Sequence, residues 1–441
     1  MIMRIKNLSA AQIILLGFAA VILLGSLLLT LPLASADGHS ASFFDALFTA
    51  TSAVCVTGLV VQDTATYWSV FGQGVILCLI QIGGMGVVTV AAAIAIASGR
   101  RISLRHRSTL QEALSAPKVG GIVKLTGFIL KMVLCFEPCG ALLLAPGFCR
   151  SFGMKRGLWY AVFHSISAFC NAGFDLMGSQ TPFSSLTGFV ADPTVNLVIM
   201  SLIIIGGIGF LTWEDAAVYK WRINRYRMQS KVILCTTLLL LLIPALYFFF
   251  FEFVGEPLSR RIWLSLFQSV TPRTAGFNTA DLTMLSETGL GVTILLMLVG
   301  GSPGSTAGGM KTTTVAVMIS TAYSIFKRKE HTNFFGRRID YQTVRTAATV
   351  LSMYLVLFLL GGAIISRTEG LPLLTCLFET ASAIGTVGLS LGVTPTLGAV
   401  SRWILILLMY CGRVGGLTLV FAAVSSKPTS SILPMEKITV G

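Results

Sequence analysis

Four short polar segments interrupt an otherwise apolar chain, and each of them contains a glycine. The segments are residues 51–59 (TSAVCVTGL), 169–174 (FCNAGF), 272–277 (PRTAGF) and 385–389 (GTVGL). Their glycines are Gly58, Gly173, Gly276 and Gly388, which lie 115, 103 and 112 residues apart. Each interval is close to a quarter of the 441-residue chain, and a constant period is typical of repeated structural units. The pattern therefore predicts four tandem repeats.

The composition predicts a protein that crosses a membrane many times. Charged residues make up 11% of the chain, against roughly 25% in soluble domains. The mean hydropathy is +0.82. Several apolar runs reach about 20 residues, which is the length that spans the hydrocarbon core of a bilayer. We expect the protein to lie in the plasma membrane, surrounded by the lipid bilayer.

The net charge of +14 follows the expected membrane topology and does not indicate a nucleic-acid-binding protein. Of the 32 Lys and Arg residues, 20 fall in segments predicted to be cytoplasmic and 8 in external segments. An excess of this kind is typical of the positive-inside rule. Both termini are therefore predicted to be cytoplasmic, including the polar tail at residues 425–441.

Each quarter of the chain contains the same order of elements. An outward helix is followed by a short helix of about 11 residues, too short to cross, then by the glycine turn and a return helix. The outward helices are predicted at 11–31, 123–144, 232–253 and 344–365, the short helices at 43–53, 158–169, 261–270 and 373–383, and the return helices at 70–98, 195–218, 289–326 and 399–424. The repeats then occupy residues 1–110, 111–230, 231–343 and 344–424.

Every repeat crosses the membrane twice, so successive repeats enter with the same orientation. Inverted repeats, which are common in carriers, need an odd number of crossings in each unit. The predicted fold is an all-α polytopic membrane protein with about eight transmembrane helices and four re-entrant half-helices. Its four parallel repeats surround a pseudo-fourfold central pore.

The glycine turns have the properties of a site for a monovalent cation. Non-helical backbone at membrane depth is tolerated where it lines a cavity, and rings of backbone carbonyls can replace the hydration shell of an ion. The half-helices point their partly negative carboxyl ends toward the turns. No ring of four carboxylates accompanies the turns, which disfavours a divalent ion. The candidate ion-binding residues are Val56, Thr57, Gly58, Asn171, Ala172, Gly173, Thr274, Ala275, Gly276, Thr386, Val387 and Gly388.

The segments TSAVCVTGL, SISAFCNAGF, TPRTAGFN and GTVGLS, with the glycine-rich third return helix, resemble the Ktr branch of the Trk/Ktr/HKT superfamily of potassium transporters. The resemblance covers essentially the whole chain. It implies a potassium uptake subunit built like four fused two-helix channel subunits, with its selectivity filter at the four glycines. Plant sodium-selective relatives carry serine at the first of these positions, where this chain has Gly58.

The resemblance also implies partners and ligands. Ktr subunits work as homodimers on a cytoplasmic nucleotide-binding ring of the RCK type. Potassium is then the transported ion, and no further metal or cofactor is expected in this chain.

The third return helix is predicted to break, since it contains LVGGSPGSTAGGMKTTT at 298–314. In a helix interior glycine costs about 1 kcal/mol and proline about 3 kcal/mol. The resulting loop is interpreted as a gate below the filter, with a helix kink as the alternative. The candidate gate residues are Gly300, Gly301, Ser302, Pro303, Gly304, Ser305, Thr306, Ala307, Gly308, Gly309, Lys311 and Arg413.

Arg413 is included because a charge in the middle of a membrane helix is costly and is usually functional. We expect it to face the pore below the filter, where it would repel a cation. The alternative is an ion pair that holds helices together, for which Glu379 is a candidate partner.

Other functions find less support in the sequence. The four histidines and nine cysteines have no catalytic or metal-ligand spacing, and His164 is interpreted as a packing or hydrogen-bonding residue. An enzyme is therefore not expected. The alternatives left open are a sodium-permeable transporter of the HKT type and a solute carrier that binds its substrate at the broken helix, residues 300–311.

Overall fold

The computed structural model describes residues 9–98, 104–114, 120–179, 181–415 and 418. Within these residues the protein consists of sixteen α-helices and one two-stranded hairpin, with a few short 3-10 and π turns. The tail at 425–441 lies outside the described residues.

The first repeat contains five helices. They are α1 (Ala10–Leu29), α2 (Phe43–Val54), α3 (Val70–Met85), α4 (Val87–Ala97) and α5 (Leu104–Ala113). Helix α1 begins at a capping box formed by Ser9 and Gln12. The predicted single return helix at 70–98 is wrong, because α3 and α4 meet at an angle of 93°. The bend lies at Gly86, whose φ of 84° is readily adopted only by glycine.

The second repeat has the same plan. Its helices are α6 (Ile122–Phe152), α7 (Met154–Phe169), α8 (Pro193–Ile208) and α9 (Phe210–Tyr219). The return segment is again broken, this time by 96° at Gly209, so the continuous helix predicted at 195–218 is also wrong. Asp192 caps α8 by accepting hydrogen bonds from the N–H groups of Thr194 and Val195.

The third repeat contains the break that the sequence predicts. Its elements are α10 (Met228–Tyr247), α11 (Leu258–Val270), α12 (Glu287–Leu298), α13 (Thr312–Phe326) and the antiparallel strands β1 (Asn333–Phe334) and β2 (Arg337–Arg338). Residues 299–311, between α12 and α13, form no helix, and we call them the intramembrane loop. A single π-turn at Phe248–Glu252 extends α10.

The described part of the fourth repeat contains three helices. Its helices are α14 (Tyr341–Glu369), α15 (Leu373–Gly385) and α16 (Ala399–Val414). Helix α16 ends at Val414 with Gly415 as its C-cap, at a φ of 87°, and the rest of the return segment predicted to 424 lies outside the described residues apart from residue 418. Gly415 thus resembles Gly86 and Gly209, which end the first halves of the first two return segments.

The helices fall into the classes expected of this fold. Helices α1, α6, α10 and α14 are long and apolar enough to span a membrane, and the bent pairs α3–α4 and α8–α9 pass the same test as broken spans. Helices α2, α7, α11 and α15 have only 12 to 16 residues. The all-α membrane fold is therefore confirmed, with outward, half and return segments in each repeat.

The half-helices lie in the centre of the protein, and the long helices surround them. Every residue of α2 from Ala46 to Val54 is buried. By contrast, α6 exposes Leu134 and Leu142 by 74% and 73%. Apolar side chains exposed to this extent are expected on a surface that contacts lipid rather than water.

Candidate functional site

The four polar segments meet in one closed ring. We call residues 56–58, 171–173, 274–276 and 386–388 the glycine segments. A Cβ atom built on the glycine of one segment would come closer than 3.0 Å to a carbonyl oxygen of the next segment. The pairs are Gly58 with Ala172, Gly173 with Ala275, Gly276 with Val387, and Gly388 with Thr57. The repeats therefore follow one another around the ring in the order first, second, third and fourth.

The glycine segments share an unusual backbone conformation. The residue two positions before each glycine has a positive φ, with values of 50°, 55°, 67° and 50° for Val56, Asn171, Thr274 and Thr386. The glycines themselves have φ values of 88°, 68°, 80° and 93°. Positive φ in a non-glycine residue costs on the order of 1–3 kcal/mol and persists only where the surroundings impose it. The same strained geometry, repeated four times, points to a functional requirement.

The carbonyl oxygens of the glycine segments have no hydrogen-bond donors. In the part of the chain that the structure describes, no backbone or side-chain group donates to any of the twelve. Eleven of the twelve residues are nevertheless buried, Val56, Thr57, Asn171 and Val387 have no exposed surface, and Gly388 is partly exposed. Buried carbonyls are paired in well over 90% of cases. These oxygens are therefore available to coordinate a ligand.

A hydroxyl group supports each glycine segment from behind. In the first and fourth repeats, Ser52 and Ser382 accept the N–H of the segment's glycine at 3.1 and 3.0 Å. In the second and third repeats, Ser167 and Thr271 instead donate to the carbonyl that follows the glycine. These bonds fix the segments to the ends of the half-helices and hold the backbone in place.

The return segments pack closely against the carboxyl ends of the half-helices through glycine. A Cβ atom on Gly83, Gly206 or Gly412 would overlap a backbone carbonyl of Val54, Phe169 or Ile384, respectively. These glycines begin the sequences GGMG, GGIG and GRVG, which end at Gly86, Gly209 and Gly415. The sequence reading missed this motif, although its recurrence in three repeats was a detectable signal.

The intramembrane loop lies directly below the ring and contacts other repeats. The N–H groups of Ser302 and Thr306 donate to Gly207 and Gly206 of the second repeat at 3.0 and 3.2 Å. The N–H of Gly309 donates to Gly412 of the fourth repeat at 3.1 Å. A Cβ atom on Gly308 would overlap the hydroxyl of Thr386, the residue at the start of the fourth glycine segment. The loop therefore reaches the base of the ring.

Arg413 binds backbone carbonyls and joins three repeats. Its guanidinium donates to the carbonyls of Thr306 and Gly83 and, at 3.0 Å, to that of Gly84. The ion pairs among the described residues do not include Arg413. The alternative of a pair with Glu379 is therefore not observed, because the carboxylate of Glu379 accepts hydrogen bonds within its own repeat.

Lys311 has a similar environment at the end of the intramembrane loop. Its Nζ donates to the carbonyls of Ala307 and Gly308 at 2.9 and 3.4 Å. Both cations thus face the loop rather than an acidic side chain.

A cavity of about 570 Å³ lies on the other side of the loop from the ring. Seven loop residues line it, together with Thr313, Thr314 and Val317 of α13 and with Arg413 of α16. No residue of the glycine segments lines it. The loop thus separates the ring from this cavity.

The remaining sequence candidates do not form a site. Where the structure describes the chain, no three His, Cys, Asp or Glu side chains come together as metal ligands. His164 is buried in α7 with both ring nitrogens bonded to backbone groups. Its hydrogen-bonding role agrees with the interpretation of the sequence.

Comparisons with known proteins agree with this architecture. A family model described as TrkH, cation transport protein, matches residues 10–433. The potassium/sodium uptake protein NtpJ of Enterococcus hirae is 41% identical over 429 residues, which cover 95% of this chain and 93% of that protein. The Ktr system potassium uptake protein B of Bacillus subtilis is 39% identical over 436 residues, covering 98% and 96%.

A solved structure shows the same fold. The crystal structure of the potassium transporter TrkH from Vibrio parahaemolyticus matches with a TM-score of 0.74 at 21% identity, over 95% of this chain and 86% of that one. The family model covers almost the whole chain, and both relatives are well above 30% identity. The chain therefore belongs to the TrkH family of cation transport proteins, as a Ktr-type member of the Trk/Ktr superfamily, and is a multi-pass membrane transporter for cation uptake rather than an enzyme.

Proposed function

We propose that the protein conducts potassium into the cell through a selectivity filter formed by the four glycine segments. The observation that carries this proposal is a closed ring of twelve carbonyl oxygens, eleven of them on buried residues, to which no group in the described part of the chain donates a hydrogen bond. Carbonyl oxygens in such rings replace the water shell of a monovalent cation. The carboxyl ends of four half-helices add partial negative charge on the inner side. Among the described residues, the hydroxyls of Thr274 and Thr386 are also buried without a hydrogen-bond partner.

Potassium is the favoured ion for two reasons. Both relatives compared above carry potassium uptake in their names. The first filter position is Gly58, where sodium-selective plant relatives of the superfamily carry serine. The name of the relative from Enterococcus hirae also includes sodium, so sodium permeation or sodium dependence is the second candidate.

The intramembrane loop, residues 299–311, is proposed to be the gate. It lies between the filter and the 570 Å³ cavity, and it reaches Thr386 at the base of the filter. Arg413 and Lys311 place two positive charges beside it, which would oppose the passage of a cation. A solute-carrier function at the loop is disfavoured, because the polar groups of the loop are bonded to neighbouring repeats.

The partners proposed for this chain follow from its family. Ktr and Trk transporters associate with regulatory subunits, and we propose a homodimer that binds a cytoplasmic nucleotide-binding ring of the RCK type. Arg225, Lys231 and Arg337 surround a pocket of about 330 Å³ on the side predicted to be cytoplasmic. This basic surface would suit an acidic partner. The proposed location is the cell membrane, with both termini in the cytoplasm.

The filter is tested by the substitution Gly58→Ser. The added Cβ would lie 2.5 Å from the carbonyl oxygen of Ala172, so the ring must deform. We expect the ratio of K⁺ to Na⁺ uptake to fall at least about tenfold, which corresponds to a selectivity loss of about 1.4 kcal/mol. Uptake of both ions is measured in proteoliposomes.

The matched control is Gly74→Ser in the same repeat, where a Cβ has no atom within 4 Å. It should leave the ratio unchanged. An unaltered ratio in Gly58→Ser protein that folds and inserts normally would contradict the filter assignment.

A further inference from the structure

The half-helices carry different side chains at one equivalent position, nine residues before the filter glycine. The four residues are Thr49, His164, Phe267 and Glu379. In the second and fourth repeats this side chain crosses to the outer side of the filter. There it accepts the backbone N–H of the residue three positions beyond the glycine, which is Leu176 in one repeat and Leu391 in the other. Two chemically different side chains therefore make the same contact.

In the second repeat the contact uses both nitrogens of His164. Its Nε2 accepts the N–H of Leu176 at 3.3 Å, and its Nδ1 lies 2.7 Å from the carbonyl oxygen of Tyr160. A carbonyl can only accept, so the hydrogen must be on Nδ1 and the lone pair on Nε2. The imidazole is therefore neutral and fixed in one tautomer, and its side chain is completely buried.

In the fourth repeat a carboxylate makes the contact. Oε1 of Glu379 accepts the N–H of Leu391 at 2.9 Å and the hydroxyl of Ser390 at 2.7 Å. Oε2 accepts the hydroxyl of Thr394 at 2.6 Å. Glu379 is also completely buried, and its three donors all belong to the segment that leaves the filter.

The first and third repeats lack this connection. The hydroxyl of Thr49 is buried and has no hydrogen-bond partner among the described residues. Phe267 is apolar and cannot accept a hydrogen bond. Because the repeats follow one another in order around the ring, the second and fourth lie opposite each other. The outer mouth is therefore fixed on two opposite sides.

We propose that His164 and Glu379 are positioning residues that determine the ion selectivity of the filter. They hold the backbone beyond the glycine, and so fix the spacing of the outermost carbonyls on opposite sides of the pore. Without them the mouth can contract around a smaller ion such as Na⁺. The inference rests on the proposed filter function and adds residues to it that do not contact the ion.

The test compares leucine, glutamine and control variants of the whole protein in proteoliposomes. His164→Leu and Glu379→Leu remove the acceptor, and each is expected to lower the K⁺/Na⁺ uptake ratio about tenfold while Na⁺ uptake is retained. His164→Gln and Glu379→Gln keep an acceptor oxygen within reach of the same N–H, so their ratios should stay within about twofold of the wild type. Thr49→Val, at the equivalent position of the first repeat, should change nothing.

The leucine and glutamine variants separate positioning from general stability. A merely structural role would lower the amount of functional protein without changing the ratio of the two ions, and this outcome would overturn the proposal. So would leucine variants that match Thr49→Val. If Gly58→Ser changes the ratio and these variants do not, only the present inference fails; if Gly58→Ser also has no effect, the filter assignment fails first.

A milder pair of substitutions tests the role of Glu379 if the leucine variants do not fold. Ser390→Ala with Thr394→Val removes two donors to Glu379 without altering the half-helix. This double variant is expected to lower the ratio two- to threefold, and an unchanged ratio would contradict the role of Glu379.

Discussion

Asp175 lies two residues beyond the filter glycine of the second repeat, outside the membrane-spanning helices. Its Oδ1 accepts the N–H of Met177 at 2.9 Å. Burial raises the pKa of Asp175 from 3.8 to about 7, and the negative charge of nearby Asp63 adds to the effect. At a pH between these two pKa values, Asp175 holds a proton in the folded protein that it has released in the unfolded chain. The stability that Asp175 contributes is therefore present at low pH and decreases as the pH rises toward 7.

Asp175→Asn should remove this pH dependence. The amide keeps an oxygen for the N–H of Met177 but cannot ionise. We expect the variant to melt a few degrees higher than the wild type at pH 8, where Asp175 is charged, and to gain only about half as much at pH 5.5, midway between the two pKa values. Thermal unfolding in detergent at both pH values measures the difference.

The control is Asp37→Asn in an exposed external loop, which should show no such difference between the two pH values. Equal stabilisation by Asp175→Asn at pH 8 and pH 5.5 would contradict the prediction.

The sequence locates the four glycines of the ring but not the strain beside them. Val56 and Thr386 are β-branched residues, for which a positive φ is a genuine outlier, so no local rule predicts their conformation. The ring imposes that conformation through contacts between segments more than 100 residues apart in the chain. The shared role of His164 and Glu379 is not predictable from the sequence for a related reason. A histidine and a glutamate form no common motif, and only the structure shows that they make the same contact.

At the scale of elements, an ion pair joins the two ends of the chain. Nη1 of Arg402 in α16 lies 2.9 Å from Oδ1 of Asp45 in the first turn of α2. The two side chains are only 19% and 16% exposed. Arg402 also donates to the carbonyl of Pro395, and Asp45 accepts from Gln62. The pair therefore connects the fourth repeat to the first on the external side and completes the circle of repeats.

Arg402→Gln should destabilise the protein by about 1–3 kcal/mol, because it leaves the carboxylate of Asp45 largely buried without a counter-charge. The comparison is Arg260→Gln. Arg260 pairs with Glu256 at 3.4 Å one helical turn away, and its side chain is 53% exposed, so about 0.5 kcal/mol or less is expected. Unfolding in detergent measures both losses. Adding Asp45→Asn to Arg402→Gln should recover part of the stability. Equal losses in Arg402→Gln and Arg260→Gln would contradict the structural role of the pair between Arg402 and Asp45.

The elements themselves are largely predictable, and their breaks are less so. Apolar length places each outward helix and half-helix within a few residues, except that α6 extends to Phe152. The bends at Gly86 and Gly209 were missed, because each glycine of GGMG and GGIG costs only about 1 kcal/mol in a helix and no proline accompanies them. The third break was predicted since Pro303 and five glycines occur together. The close packing that requires the other bends is visible only in three dimensions.

The whole molecule departs from fourfold symmetry most clearly on the inner side of the filter. There the third repeat contributes the intramembrane loop, and the fourth contributes Arg413 where the first and second repeats have Gly84 and Gly207. The intramembrane loop and Arg413 each occur in one repeat only. Both differ from the equivalent positions of the other repeats, so both could be selected as candidates from the sequence. The proposed dimer and regulatory ring follow only from the family resemblance, because any such interface depends on other subunits.

This asymmetry predicts that ion flux and ion selectivity can be changed separately. Deleting residues 304–307 shortens the intramembrane loop and removes Thr306, the loop residue that donates to Phe169 and accepts from Arg413. We expect the K⁺ uptake rate of the protein reconstituted alone to rise severalfold, because the gate can no longer block the pore. The K⁺/Na⁺ ratio should stay near the wild-type value, because the carbonyls of the filter are unchanged.

Arg413→Gln should shift the rate in the same direction without shortening the chain, since it removes the charge that opposes the cation and weakens the connection to the loop. Arg345→Gln, at an exposed site near the start of α14, serves as the control and should leave the rate unaltered. Rates are normalised to the amount of folded protein in the liposomes. If both the shortened protein and the Arg413→Gln protein transport K⁺ at the wild-type rate, the loop is only a kink between two helices. If the rate rises and the K⁺/Na⁺ ratio falls, the loop also supports the filter from below.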